Sequence, residues 1–379
     1  MTAGTNDGVP TGTIETDISA RLDSGGLAPS RRGVVKRKEG TGAGDAGNVI
    51  AAATQRLDST RLLRWDVYAD AFRHELLEYA DGPAGFVRRT LPYISRSIAA
   101  HEPILVAVGA DKVSLLKEAL GRDAARVGFA DMSTLGRNPG RIISAWREFL
   151  RQHASGAASA LGIGEPIWPG RSAAELAECH RHEALLNLAF DGGAPWHLLC
   201  PYDVDGLDDQ VIAAAQHSHP FVAKDGGRDG EATRPDPAMP PGPLEGVLEP
   251  PRSSVRELTF TADDLGFLRR FLSEWSEREQ LHPEANQELV LAVNELATNS
   301  VRYGGGHGTL LLWREQDQLV CEVRDAGHIQ DPLIGRSRPA PQQHTGRGLW
   351  LVHELCDLVQ IRSSASGTVI RVHKRCSSG

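Results

Sequence analysis

The 379-residue chain holds five cysteines, Cys179, Cys200, Cys321, Cys356 and Cys376, and no two of them form a CxxC pair. An odd, scattered set supplies neither a disulfide framework nor a thiolate zinc site of diagnostic spacing, so the cysteines read as reduced thiols. No run approaches the ~20 consecutive apolar residues of a spanning helix. The opening residues, MTAGTNDGVPTGTIETD, also lack the charged-then-apolar order of a secretory signal. The expectation is a cytoplasmic protein without membrane contact. A basic excess is missing too: 41 Lys and Arg against 49 Asp and Glu leave a formal charge of -8, which argues against direct nucleic-acid binding. Only RRGVVKRKEG, residues 31–40, is locally basic, and it reads as solvated tail.

What is present divides the chain. Apolar residues make up 40%, enough for a core in each of two domains of ordinary size. Residues 1–60 are rich in Gly, Ser, Thr and Asp without a sustained period, and are expected to be a disordered tail. Residues 223–251, dense in proline and glycine, read as a linker, and 376–379 as a short tail. Between them, residues 61–222 alternate strand and helix. PILVAVG (103–109), RVGFAD (126–131) and WHLLCPYD (196–203) read as strands, and ELAECHRHEALLNLAF (175–190) as one of several helices. That alternation predicts a parallel α/β sheet.

Residues 252–375 follow a different order. VRELTFTA reads as a strand and DDLGFLRRFLSEWSEREQL as an amphipathic helix, and Pro283 opens a second helix running to about Tyr303. TLLLWREQ and LVCEVRD form a hairpin around Gln316 and Asp317; GRGLWLVHELCD is a third helix, and LVQIRSS with TVIRVHK a last hairpin. The expected fold is one mostly antiparallel sheet carrying three helices on one face, an α+β sandwich.

Within that domain, NELATNSVRYGGG places Glu295 and Asn299 four residues apart, on one helix face. A carboxylate there can accept a proton, and an amide oxygen is a ligand suited to Mg²⁺; a solvated helix edge is the plainer reading. Gly304, Gly305 and Gly306 read as a flexible exit from the helix. Asp325 ends a strand in RDAGH, with Gly327 two residues on, and TGRGLWLV sets Gly346 and Gly348 where a loop becomes a helix. Backbone N–H groups at such a helix start favour phosphate. Each short motif alone is common, and it is their order and spacing that discriminate.

In that order the three boxes resemble those of the GHKL ATP-binding domain shared by histidine kinases, gyrase and MutL, over about residues 252–375. Within that group the chain is most similar to anti-sigma regulatory factors, serine/threonine kinases that bind a sigma factor and phosphorylate its anti-anti-sigma (STAS) antagonist. The resemblance implies Glu295 as base and Asn299 as Mg²⁺ ligand. It also implies Asp325 on adenine, with Gly327, Gly346, Arg347, Gly348 and Leu349 lining ATP under a lid of about 330–345, and it allows a homodimer. HIQDPLIG, after the DxG, lacks a further glycine that many relatives carry.

Residues 70–222, through HELLEYADGPAGFVRRT, LLCPYDVDGL and HSHP, resemble a MEDS sensory domain, which implies a small organic ligand. Tyr202, Asp203 and Cys200, at a strand's carboxyl end, are the pocket candidates, with an ordinary packed strand as the plainer alternative. FRHELLEYAD imitates a phosphoacceptor helix at His74 but lacks its continuation, and GADKVSLLKEALG lacks the GK[ST] of a P-loop. His180, His182, His217, His219 and Cys179 show no ligand spacing, and no metal is expected from them. Two other functions remain open on the sequence: an orphan sensor histidine kinase, and a nucleotide-gated binding module that transfers nothing.

Overall fold

The computed structural model describes residues 72–153, 159–193, 195–223, 244–340 and 346–376. The expected N-terminal tail, the 224–243 part of the linker and residues 377–379 therefore lie outside the described residues.

The first sheet has six parallel strands in the order β3-β2-β4-β5-β1-β6. These are β1 (Phe72–Tyr79), β2 (Ile104–Val108), β3 (Gly128–Asp131), β4 (Leu161–Gly164), β5 (Trp196–Asp203) and β6 (Phe221–Val222). Between them run α1 (Gly82–Ala99), α2 (Ala110–Leu120), α3 (Met132–Leu135), α4 (Ile142–His153), α5 (Ala173–Phe190) and α6 (Asp209–Ser218). FRHELLEY is thus a strand, which corrects the helical imitation seen in the sequence. It pairs in parallel with β5 and β6, and both of its faces are buried, so it shows no polar–apolar alternation. The glycines of β4 have a packing reason: a Cβ on Gly162 would lie 2.9 Å from the Trp196 ring, and one on Gly164 2.9 Å from Trp146.

The second sheet is antiparallel, in the order β10-β11-β9-β8-β7. It comprises β7 (Arg256–Thr261), β8 (His307–Glu315), β9 (Gln318–Asp325), β10 (Leu358–Ser364) and β11 (Gly367–Arg375). Three helices, α7 (Leu265–Arg278), α8 (Pro283–Tyr303) and α9 (Arg347–Leu355), share one core with it. Leu268, Leu272 and Trp275 of α7 and Leu289, Val293 and Leu296 of α8 meet Leu310, Leu312, Cys321 and Val323 of the sheet. The β8–β9 turn is Gln316-Asp317 as read, with Gln316 at φ 54° and Glu315 paired to Gln318. The fold is α/β followed by α+β, as expected.

The sheet domains touch, a contact no motif announced. A 3-10 turn, Pro139–Arg141, lies against α9 and β10. The Asn138 amide donates to His353 O at 2.9 Å, Arg137 pairs with Asp357 at 3.0 Å and Arg141 with Glu354 at 3.2 Å. From α5, buried Glu178 receives Arg362 of β10 at 2.8 Å, and Glu175 receives Arg375 of β11 at 3.2 Å. A Cβ on Gly140 would run into the buried His353 ring. Gly140→Val should therefore lower the calorimetric unfolding temperature, at a cost of about 1–3 kcal/mol from overpacking. An unshifted transition would show that this contact yields freely.

Candidate functional site

The α8 helix buries Leu289, Ala292, Val293, Leu296 and Ala297, which leaves Glu295 and Asn299 half-buried along one edge of that stripe. Neither polar tip hydrogen-bonds with any described residue. The start of α9 meets them: a Cβ on Gly348 would stand 2.9 Å from Glu295 Oε2 and 3.3 Å from Asn299 Nδ2. Two motifs some fifty residues apart in sequence are thus in contact, and only a residue without a side chain fits between them. Gly346 caps α9 in the left-handed conformation, φ 82°, so the free N–H groups of the first turn face the same region. Arg347 is exposed and reaches Ala340 O at 3.4 Å. Leu349 turns into the core, against which Gly335 closes at φ 74°, so its side chain packs and only its backbone borders the site.

Asp325 ends β9 in a second polar group. Its Oδ2 accepts from Ser300 Oγ at 2.6 Å and its Oδ1 from Gly327 N at 2.8 Å. Thr368 Oγ1 donates to Gly327 O at 2.8 Å and lies 2.7 Å from Ser363 Oγ. Ser300, Thr368 and Ser363 escaped the sequence reading; Ser300 follows Asn299 directly, yet a lone serine or threonine carries no spacing signal. Gly304 also changes meaning. Its absent Cβ would lie 2.5 Å from Asp325 Cγ, so the glycine lets the helix end approach the carboxylate. Gly305 and Gly306, at φ 92° and 87°, then make the turn into β8.

Of the expected lid, residues 330–340 are described and 341–345 are not. Leu333 packs against the core of the first domain while Ile334 packs against the core of the second. Arg147 of α4 donates to Ser337 Oγ.

In the first domain Cys200 and Tyr202 are buried on one face of β5. Asp203 instead turns the chain, its Oδ1 accepting from the Asp205 and Gly206 N–H groups, each at 3.2 Å. His74 is 1% exposed, with Nδ1 3.0 Å from Asn187 Oδ1 and Nε2 3.0 Å from Glu183 Oε2. Burial lowers its pKa to about 4. Cys179 contacts Pro166 O at 3.4 Å, and burial pushes its thiol up to about 12. At the P-loop-like position, Lys112 bonds Glu165 at 2.6 Å and Tyr79 Oη at 2.7 Å, so its charge is already matched. No helix among the described residues is long and apolar enough to cross a membrane.

A five-stranded antiparallel sheet under three helices, with Gly348 seated on Glu295 and Asn299 and following a parallel-sheet domain, is consistent with a GHKL-type fold. The comparisons agree. Residues 73–220 match the MEDS family, the methanogen/methylotroph DcmR sensory domain, and residues 258–374 match the histidine kinase-like ATPase domain family. The chain therefore carries a MEDS domain followed by a histidine kinase-like ATPase domain. Among solved structures it is similar to the RsbU and RsbW domains of Rv1364c from Mycobacterium tuberculosis, at 19% identity and a TM-score of 0.25, covering 33% of each chain. The Acinetobacter baumannii histidine kinase AdeS is similar at 12% identity and a TM-score of 0.21, over 34% of this chain and 71% of that one. The chain thus spans about a third of the first of these structures. No curated protein matches it.

Proposed function

We propose that the chain is an ATP-dependent anti-sigma regulatory factor that binds a sigma factor and phosphorylates Ser or Thr of its STAS antagonist. A small-molecule sensory domain over residues 61–222 controls a kinase domain over 252–375, with 223–251 linking them. The observation that carries the proposal is the contact of Gly348 with Glu295 and Asn299, which would join a base, a metal ligand and a helix N-terminus. These residues fit Mg-ATP by their donor set: without Cβ atoms, Gly348 and Gly327 bring backbone close beside Glu295 and Asp325, and Asn299 adds an amide oxygen that bonds no described residue. Bound Mg-ATP would supply the transferable phosphoryl group and neutralise its charge. Asn299 Oδ1 would ligate the ion, and the first turn of α9 with Arg347 would hold phosphate. Asp325 would accept a hydrogen bond from the adenine amine, Gly327 would admit the ring, and Glu295 would take the acceptor hydroxyl's proton.

The buried position of His74, enclosed in β1, opposes its use as a phosphoacceptor and so weighs against the histidine-kinase alternative. The experiment is a pull-down with ATP and Mg²⁺ followed by phosphosite mapping under acid conditions. A sigma factor and an acid-stable phosphoserine or phosphothreonine on a STAS protein are expected. Capture of neither protein, or phosphate that acid removes, would sink the reading. Capture without phosphate would favour a nucleotide-gated binding module.

A further inference from the structure

Four buried side chains from four different segments converge inside the sensory domain: His74 on β1, Glu183 on α5, Cys200 on β5 and His219 just before β6. One ligand atom from each lies within 4.8 Å of all the others. The ring protons are fixed from behind. Asn187 Nδ2 donates to Ser218 O at 2.7 Å, which leaves Asn187 Oδ1 to accept the His74 Nδ1–H at 3.0 Å. His219 Nδ1 lies 2.8 Å from Ala215 O, which can only accept. In the neutral rings both Nε2 lone pairs therefore turn inward, toward the same carboxylate oxygen. His74 Nε2 is 3.0 Å and His219 Nε2 is 3.3 Å from Glu183 Oε2. Cys200 Sγ completes the group 3.4 Å from His74 Nε2.

Lone pairs so arranged repel unless positive charge lies among them. A single thiol proton satisfies one acceptor only. Glu183 Oε1 and Tyr202 Oη, both buried here, have no hydrogen-bond partner among the described residues. A tetrahedral ion with bonds of about 2.0–2.3 Å requires ligand separations of roughly 3.3–3.8 Å; the His74–Glu183, His219–Glu183 and His74–Cys200 separations of 3.0, 3.3 and 3.4 Å lie at or just below that range. Charge also balances: a divalent ion with one thiolate, one carboxylate and two neutral imidazoles is neutral, as a dry interior requires.

We propose that His74, Glu183, Cys200 and His219 form a four-coordinate site for a divalent transition-metal ion, Zn²⁺ being the best fit to two nitrogens, one sulfur and one oxygen. Binding breaks the Cys200 S–H bond, forms a metal–sulfur bond and releases the proton to solvent. The site is separate from the Mg²⁺ position at Asn299 and does not depend on the kinase reading.

The test uses the full chain, stripped with a chelator and titrated with Co²⁺ as a spectroscopic stand-in for Zn²⁺. Expected are the ligand-field bands of a four-coordinate ion and a thiolate-to-cobalt charge-transfer band, both bleached by Zn²⁺. Cys200→Ser should lose the charge-transfer band, whereas Cys179→Ser should keep it. A parent chain that is folded by circular dichroism but shows only a six-coordinate spectrum overturns the site, as does a charge-transfer band that survives in Cys200→Ser. Should Cys200→Ser fail to fold, X-ray absorption of the Zn²⁺-loaded parent decides. One sulfur among nitrogen and oxygen neighbours supports the site, and a shell without sulfur overturns it.

Discussion

Replacing Glu295 by alanine should lower phosphate transfer by about 10²–10⁴-fold, the usual contribution of a positioned general base, while ATP affinity changes little. The separation follows from geometry. Glu295 is half-buried at the edge of α8 and makes no hydrogen bond within the described chain, so its removal leaves no orphaned partner. Its carboxylate borders Gly348, at the start of α9, while the carboxylate assigned to adenine belongs to β9. Single-turnover transfer from labelled ATP and equilibrium binding of a fluorescent nucleotide read the two effects independently. Glu295→Gln keeps the volume and loses the basicity, so it should fail in transfer as alanine does. A glutamine variant with parental transfer would remove the base from the mechanism.

Asp325→Asn should weaken ATP binding by about 10²-fold, the equivalent of one lost charge-assisted hydrogen bond and a mismatched donor. The variant should nevertheless fold. Its amide oxygen can keep the Gly327 N–H, and the Ser300 hydroxyl, now 2.6 Å from Oδ2, can rotate to accept instead of donate. What changes is the edge offered to a base: an NH₂ would meet the adenine amine donor to donor. The same NH₂ suits the carbonyl at the corresponding position of guanine, so GTP should gain relative to ATP. Competition titrations measure the ratio, and an unchanged ATP preference would take Asp325 out of base recognition.

Much of the second domain was legible because its signals are local. Pro283 sits at the first turn of α8, Gln316 and Asp317 make the turn between paired strands, and the three boxes lie in the expected elements. The first domain was harder to read. A parallel strand covered on both faces has no period of two, so His74, Glu75 and Leu76 looked like helix though all three are interior strand residues. The converging His74, Glu183, Cys200 and His219 come from separate elements and have no spacing to recognise; of the histidines weighed as ligands, only His219 belongs to the group. Gly304 looked like a hinge because sequence cannot display the carboxylate that fills the space beside it. Contacts such as Asn138 with His353 join segments more than two hundred residues apart and leave no local trace.

Leu333 rests on the core of one domain and its neighbour Ile334 on that of the other, two residues in a segment expected to cover the nucleotide. Under the proposed function, the two binding equilibria would share a mechanical part. If a ligand of the first domain and ATP each favour one placement of this segment, each would alter the other's affinity, and by the same factor. Nucleotide concentration would then set the threshold at which the sensor responds, making the cell's energy state an input to the signal.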